Sequence, residues 1–372
     1  MNSRERVKRA LNHQEPDKVP IDLGGFVTTI EAEAYDDLKK YLGIEKETMV
    51  FLRSHVAPDE EILQRFEVDT RYIRVGPTGR WEDVRKVDTV VDSWGTKWHQ
   101  PKSSHYFDPI EHPFANFTLA DLENYQYPQL WNEEYAKELA KIAEDLYKET
   151  DYYLVADCYL LGIFEQAWVL RGLEDFLVDL VLNKDFANRV LDIVLEQRKD
   201  FYGRFLDVVG PYVDMVIVSD DLGTQEGPII SPNLYREMIK PRHKELNSFI
   251  KGKADVKLLH HSCGAVREFI EDFIDVGIDV LNPVQVSAKG MDTKRLKQDF
   301  GNKIVFWGGG VDTQDVLPFG SPKEVREEVK KRISDLKPGG GFVFAQVHEI
   351  QPNTPPENII AMFDTAKEYR DY

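Results

Sequence analysis

The chain has 372 residues, 42% of them hydrophobic and 30% charged, a composition typical of globular enzymes. Against 65 Asp and Glu stand 47 Lys and Arg, a formal charge of −18 that argues against phosphate backbones and anionic membrane surfaces as partners. No apolar run approaches the roughly 20 residues of a membrane span, the opening MNSRER lacks a secretory signal, and two cysteines make no disulfide framework, so a reduced cytoplasmic protein is expected.

In chain order, Asn2 as cap with Glu5 three residues on, then Val7, Ala10 and Leu11, predict a first helix. Eight short apolar runs follow, at residues 19–25 (VPIDLGG), 69–76, 153–158, 215–221, 256–263, 280–285, 304–310 and 341–349. Several are nearly continuous and end in polar residues or glycine, as do parallel strands buried on both faces. Helices are signalled between them by Ser231-Pro232 and by the apolar face Val266, Phe269, Ile270, Phe273 and Ile274. Capping boxes at Ser321–Glu324 and Thr354–Glu357 open two more. Eight strand–helix alternations predict an α/β protein, a (β/α)₈ TIM barrel in one domain over 1–372. An open doubly wound sheet is the alternative, weakened by the lack of GxGxxG after the first run. The cadence breaks over residues 77–129, where Trp81, Trp94, Trp98 and many β-formers predict an inserted β-rich segment. Within it, residues 85–98 read as a β-hairpin or small meander that could lid the barrel or make a dimer contact.

Barrel chemistry sits at the C-terminal ends of the strands. The polar residues expected there are Asp157, Asp220, Asp221, His260, His261, Cys263, Asn282, Gln285, Trp307, His348 and Glu349, with Glu165 close behind the third run. His261-x-Cys263 is the sharpest feature. Alternate residues of an extended segment share a face, and imidazole with thiolate suits zinc. His348 is the favoured third ligand, with Glu349, Asp220 and Gln285 as further candidates. A solitary HxC also arises by chance, and a histidine beside a barrel core is often only hydrogen-bonded. Asp220 and Asp221 read as an acid–base pair, or as a loop cap beside a solvated neighbour. Asp157, Tyr159 and Glu165 could line a pocket or only satisfy backbone donors. The glycine triplets 308–310 and 339–341 suit tight turns better than phosphate. The tryptophans of the insertion suit hairpin packing better than ligand stacking.

Five stretches carry a resemblance: SRERVKRALNHQEPDKVPIDLGG, SPNLYREMIKPRHKEL, HHSCGAV, VLNPVQVSAKGMDTKRLKQDFGNKIVFWGGGVDTQ and TPPENII. Spread over nearly the whole chain, they resemble the uroporphyrinogen decarboxylase superfamily. That resemblance implies a (β/α)₈ barrel and either of two activities: tetrapyrrole decarboxylation, or corrinoid-dependent methyl transfer of the methylcobalamin:coenzyme M methyltransferase kind. The decarboxylases carry an N-terminal arginine loop for the substrate's carboxylates, but IDLGGFVTTIEAEAY has no arginine. His261-x-Cys263-Gly264 looks like the zinc motif of the methyltransferases. Their further cysteine lies just before a TP-x-EN helix start, and counting back from Thr354–Asn358 puts His348 there. In the related cobalamin-independent methionine synthases a glutamate follows on the next strand, where Gln285 stands.

The implied protein is a zinc-dependent methyltransferase with His261, Cys263 and His348 on the metal. Asp220, Asp221 and Glu165 would be its acid–base groups, and Asp157, Gln285, Trp307 and Glu349 would line its substrate pocket. Cobalamin would arrive on a partner corrinoid protein, the other reactant being a small methylated substrate or a thiol. A histidine in place of a second thiolate leaves the metal more electrophilic, which favours O-demethylation. The alternatives are a metal-independent decarboxylase-like lyase using Asp220 and Asp221, and a non-catalytic barrel that binds a tetrapyrrole or corrinoid.

Overall fold

The computed structural model describes residues 1–52, 54–75, 87–102, 104–158 and 160–372. The expectations for Trp81, Tyr159 and the start of the 85–98 segment lie outside the described residues. Among the described residues the twelve strands are β1 (Val50–Leu52), β2 (His55–Val56), β3 (Thr70–Val75), β4 (Thr89–Val91), β5 (Lys97–His99), β6 (Asp108–Glu111), β7 (Tyr153–Cys158), β8 (Met215–Ser219), β9 (Lys257–His261), β10 (Val280–Asn282), β11 (Val305–Trp307) and β12 (Phe342–Val343).

Seven of these form one curled sheet in the order β12-β11-β10-β9-β8-β7-β3, parallel at every pairing and consistent with a TIM-like barrel. The first predicted run meets both edges of that sheet without becoming a regular strand. Phe344 N–H donates to Pro20 O and Asp22 N–H to Phe344 O on one side, and Asp69 N–H donates to Ile21 O on the other. Pro20 has no N–H to give, and the N–H of Ile21 goes to the Asp69 carboxylate at 2.9 Å, so the ladder is reduced to a bridge.

Period two sorts the side chains. Tyr153, Val155, Met215, Ile217, Leu259, Val280, Val305 and Val343 point into the curl, closed below by Val7 and Leu11 of the helix Ser3–Leu11. Leu154, Ala156, Val216, Val218, Leu258, Leu281 and Phe306 point outward into the larger core shared with the helices. The Asn2–Glu5 and Ser321–Glu324 capping boxes form as expected. The expected box at Thr354 does not: the last helix starts at Pro356 with Pro355 as its cap residue, and Thr354 N–H donates to Gln351 O at 3.1 Å instead.

Between β3 and β7, β4, β5 and β6 make a three-stranded antiparallel sheet. Trp98 and Phe107 of this region pack on Val169 of the helix Ile163–Arg171. Among the described residues no helix is long and apolar enough to cross a membrane.

Candidate functional site

The inward parity of β7, β8 and β9 holds to their C-terminal ends. It aims Asp157, Ser219 and His261 into a cavity of about 340 Å³ above the barrel core. His55, Glu165, Asp221, His348 and Glu349 share the wall, with an aromatic lining from Phe26, Trp98, Tyr106, Phe107 and Trp168. A second cavity, of about 630 Å³, adjoins it and is lined by Cys263, Gln285, Gln314 and Phe319. Tyr106, Asp221 and His348 line both.

His261, Cys263 and His348 meet at this junction, with one ligating atom from each within 4.8 Å of the others. Cys263 Sγ lies 3.4 Å from His261 Nε2, and the rings of His261 and His348 are 5.3 Å apart. The orientation of His261 is fixed from behind. Asn282 Nδ2–H donates to Trp307 O at 3.0 Å, which turns its Oδ1 toward His261 Nδ1 at 2.6 Å. Nδ1 therefore carries the proton, and Nε2 is left with its lone pair on the side of the thiol. Asn282 is absent from the ligand and pocket expectations. Its only signal was its place among the polar strand-end residues, and the structure sets it opposite His261 in the register.

The loop bearing Cys263 is held by two side chains. Asp221 Oδ1 accepts from Cys263 N–H at 2.7 Å and Gln285 Oε1 from Gly264 N–H at 2.6 Å. Gly264 adopts φ +88°, and a Cβ there would meet Gly223 at 2.4 Å, so only glycine lets the two loops approach. Gln285 thus positions the thiol loop and lines the second cavity.

Burial and the nearby Asp221 and Glu165 carboxylates push the Cys263 thiol well above its ordinary range. Burial, with His261 and His55 close by, pushes His348 well below its own. A neutral thiol and a neutral imidazole facing carboxylates form a donor set that a divalent cation would stabilise by releasing the thiol proton. The two imidazoles and one thiolate suit zinc and leave a fourth position for substrate or water. His348 Nδ1 lies against Glu349 Oε2, so the two side chains share one place on the wall.

Two expected site residues are turned elsewhere. Asp220 follows β8 with outward parity and has no exposed surface. Its carboxylate accepts from Phe164 N–H and Glu165 N–H, each at 2.8 Å, and lies 2.8 Å from His243 Nε2. Its role is to anchor the start of the helix Ile163–Arg171, where N–H groups and the helix dipole favour an anion. Gly162 permits this approach, since a Cβ there would lie 2.2 Å from Asp220 Cγ. Trp307 is also fully buried, with Nε1–H donating to Asp22 Oδ2 at 2.8 Å, and lines neither cavity.

Asp221 and Glu165 do face the cavity. Burial raises both, and for Glu165 repulsion from Asp221 and Asp220 adds to it. Asp157 is pushed up to about 6 by burial, against the pull of Arg74 and of Phe26 N–H, which donates to Oδ2 at 2.7 Å. Sequence reasoning named Glu349 but missed the two residues that join it: Glu31, His55 and Glu349 converge, with ligating atoms within 4.8 Å of one another. Their sequence separation leaves no spacing signal.

A family model described as "Uroporphyrinogen decarboxylase (URO-D)" matches residues 108–369. A uroporphyrinogen decarboxylase of Vesicomyosocius okutanii subsp. Calyptogena okutanii (strain HA) is 30% identical over 70 residues, a stretch that takes in 19% of this chain and 19% of that protein. A methyltransferase from Methanosarcina mazei has the same fold with a TM-score of 0.67 over 99% of each chain, at 19% identity.

Proposed function

This chain belongs to the uroporphyrinogen decarboxylase family, and within that family we propose that it is a zinc-dependent methyltransferase working with a corrinoid protein. The observation that carries the reading is the convergence of His261, Cys263 and His348 within 4.8 Å at the meeting point of two cavities. The closed (β/α)₈ form of the barrel, with residues 77–129 as its insertion, belongs to the same reading. Zinc on these ligands would supply a Lewis acid that draws electron density from a substrate heteroatom, while a corrinoid on the partner protein would exchange the methyl group.

The chain's own residues have separable tasks. The aromatic lining of the smaller cavity suits a flat methylated substrate and excludes water from it. Glu165, its carboxyl pushed well above the usual range by burial and by Asp221, lines that cavity and would hand a proton to the oxygen that loses the methyl group. Asp221 fixes the Cys263 backbone and keeps the thiol at the junction. The larger cavity, on the far side of Cys263, offers the approach for the partner's corrinoid. O-demethylation is the direction this assigns, in a cytoplasmic setting.

The decarboxylase reading is disfavoured by charge. Asp157, Glu165, Asp221 and Glu349 line the smaller cavity, and its described lining contains no lysine or arginine, so a polycarboxylate would meet repulsion. The test is zinc per chain and methyl transfer from an aryl methyl ether to a corrinoid protein, for wild type, Cys263→Ser and His348→Ala. Near-stoichiometric zinc, lost with activity in both variants, is expected. Undiminished methyl transfer by zinc-free protein would end the proposal.

A further inference from the structure

We propose that Glu31, together with His55 and Glu349 of the cavity wall, forms a second divalent-cation site distinct from the thiol-bearing cluster. The donors are two carboxylates and one imidazole with ligating atoms within 4.8 Å of one another, all three side chains buried. That set is harder and more anionic than one imidazole–thiolate–imidazole, and it suits Mn²⁺ or Zn²⁺ without needing a thiol.

The three residues come from chain segments that backbone hydrogen bonds lace together. Glu31 N–H donates to Ile350 O at 2.9 Å, Ile350 N–H to Thr29 O at 2.9 Å, and Val56 N–H to Ile30 O at 3.1 Å. Their side chains are steadied as well. The His55 ring stacks on Phe26 with centroids 4.7 Å apart and 3° between planes. Ser54 Oγ–H donates to Glu31 Oε2, and Gln351 Nε2–H to Glu349 Oε1 at 3.2 Å. A preorganised donor set gives up little side-chain freedom on binding, which is the condition for a tight metal site.

An independent observation points to a ligand at this place. Asp157 lines the same cavity as His55 and Glu349, and the backbone of Phe26, the residue stacked on His55, donates to its Oδ2. The other oxygen, Oδ1, is buried and has no hydrogen-bond partner among the described residues. Within the set itself, Glu349 Oε2 is likewise buried with no hydrogen-bond partner among the described residues, so the wall carries two unmet carboxylate oxygens that a cation and its water can serve. Glu349 also touches His348, so filling either site changes the field at the other.

The site stands whether or not the chain transfers methyl groups, and Mn²⁺, which avoids thiols, probes it separately. Titrating Mn²⁺ into the full chain with detection of free Mn²⁺ by electron paramagnetic resonance, Cys263→Ser should bind one equivalent. Adding Glu31→Gln or His55→Gln to that variant should weaken binding at least tenfold, with circular dichroism unchanged. Overturning results would be no Mn²⁺ bound by folded Cys263→Ser, or binding insensitive to both further substitutions. Zinc retained in Cys263→Ser but lost in Glu31→Gln would support this site while ending the thiol-site reading.

Discussion

Neighbouring residues at the ends of β8 and β9 part company. Asp221 and His261 face the cavity, whereas Asp220 and His260 face the helices. Asp220 anchors the start of a helix, and His260 packs against Phe273 and His243 with its pKa driven well below normal by burial. The two pairs share residue types and strand ends and differ only in parity. A polar residue at a barrel rim therefore belongs to the chemistry or to the scaffold according to which way one residue of register turns it.

Substitutions on the two faces should separate function from stability. The largest effect falls on the inner face: Cys263→Ser should cut methyl transfer on the order of 10³-fold, while the melting temperature of the zinc-free protein stays within a few degrees. On the outer face Asp220→Ala should behave in the opposite way. It strips a partner from two helix N–H groups and from His243, and should cost about 3 kcal/mol in denaturant unfolding. Its activity per folded molecule should remain within a few-fold of wild type. A large loss of turnover in folded Asp220→Ala would erase the distinction between the faces.

Two smaller effects sharpen it. Asn282→Ala frees the tautomer of His261 and should weaken zinc binding roughly 10–100-fold, as outer-sphere partners do, measured by competition with a chromophoric chelator. Asp157 supplies a pH signature. Its carboxyl is held near 6 in the folded protein by burial, against 3.8 ordinarily, so the folded state holds the proton longer than the unfolded one. Stability should accordingly fall as pH rises from about 4 to about 6 and level off above that. Asp157→Asn should flatten that decline, which unfolding titrations at pH 4.5 and 6.5 would read.

Much of this was legible in the sequence. The runs at 153–158, 215–221, 256–263, 280–285 and 304–310 each hold a strand of the parallel sheet, because near-continuous apolar segments bounded by glycine and polar residues have few other folds open to them. His261 and Cys263 could be paired on their spacing, and His348 joined to them through its strand end and the family resemblance. The fate of Asp220 could not, since DD at a strand end does not say where the strand stops and so leaves the parity open. Trp307 misled for a related reason: its strand ends on the residue that seals the core. The trio Glu31, His55 and Glu349 was invisible because it depends on which loops the first and last segments lace together. Long-range backbone bonds such as Glu31 N–H to Ile350 O decide that, and no local pattern encodes them.

X-ray absorption at the zinc K-edge of the reconstituted chain tests the central claim most directly. The account predicts a single sulfur scatterer at about 2.3 Å together with two imidazoles at about 2.0 Å, the sulfur shell vanishing in Cys263→Ser. A shell of oxygen and nitrogen alone in the wild type, unchanged by that substitution, would contradict it.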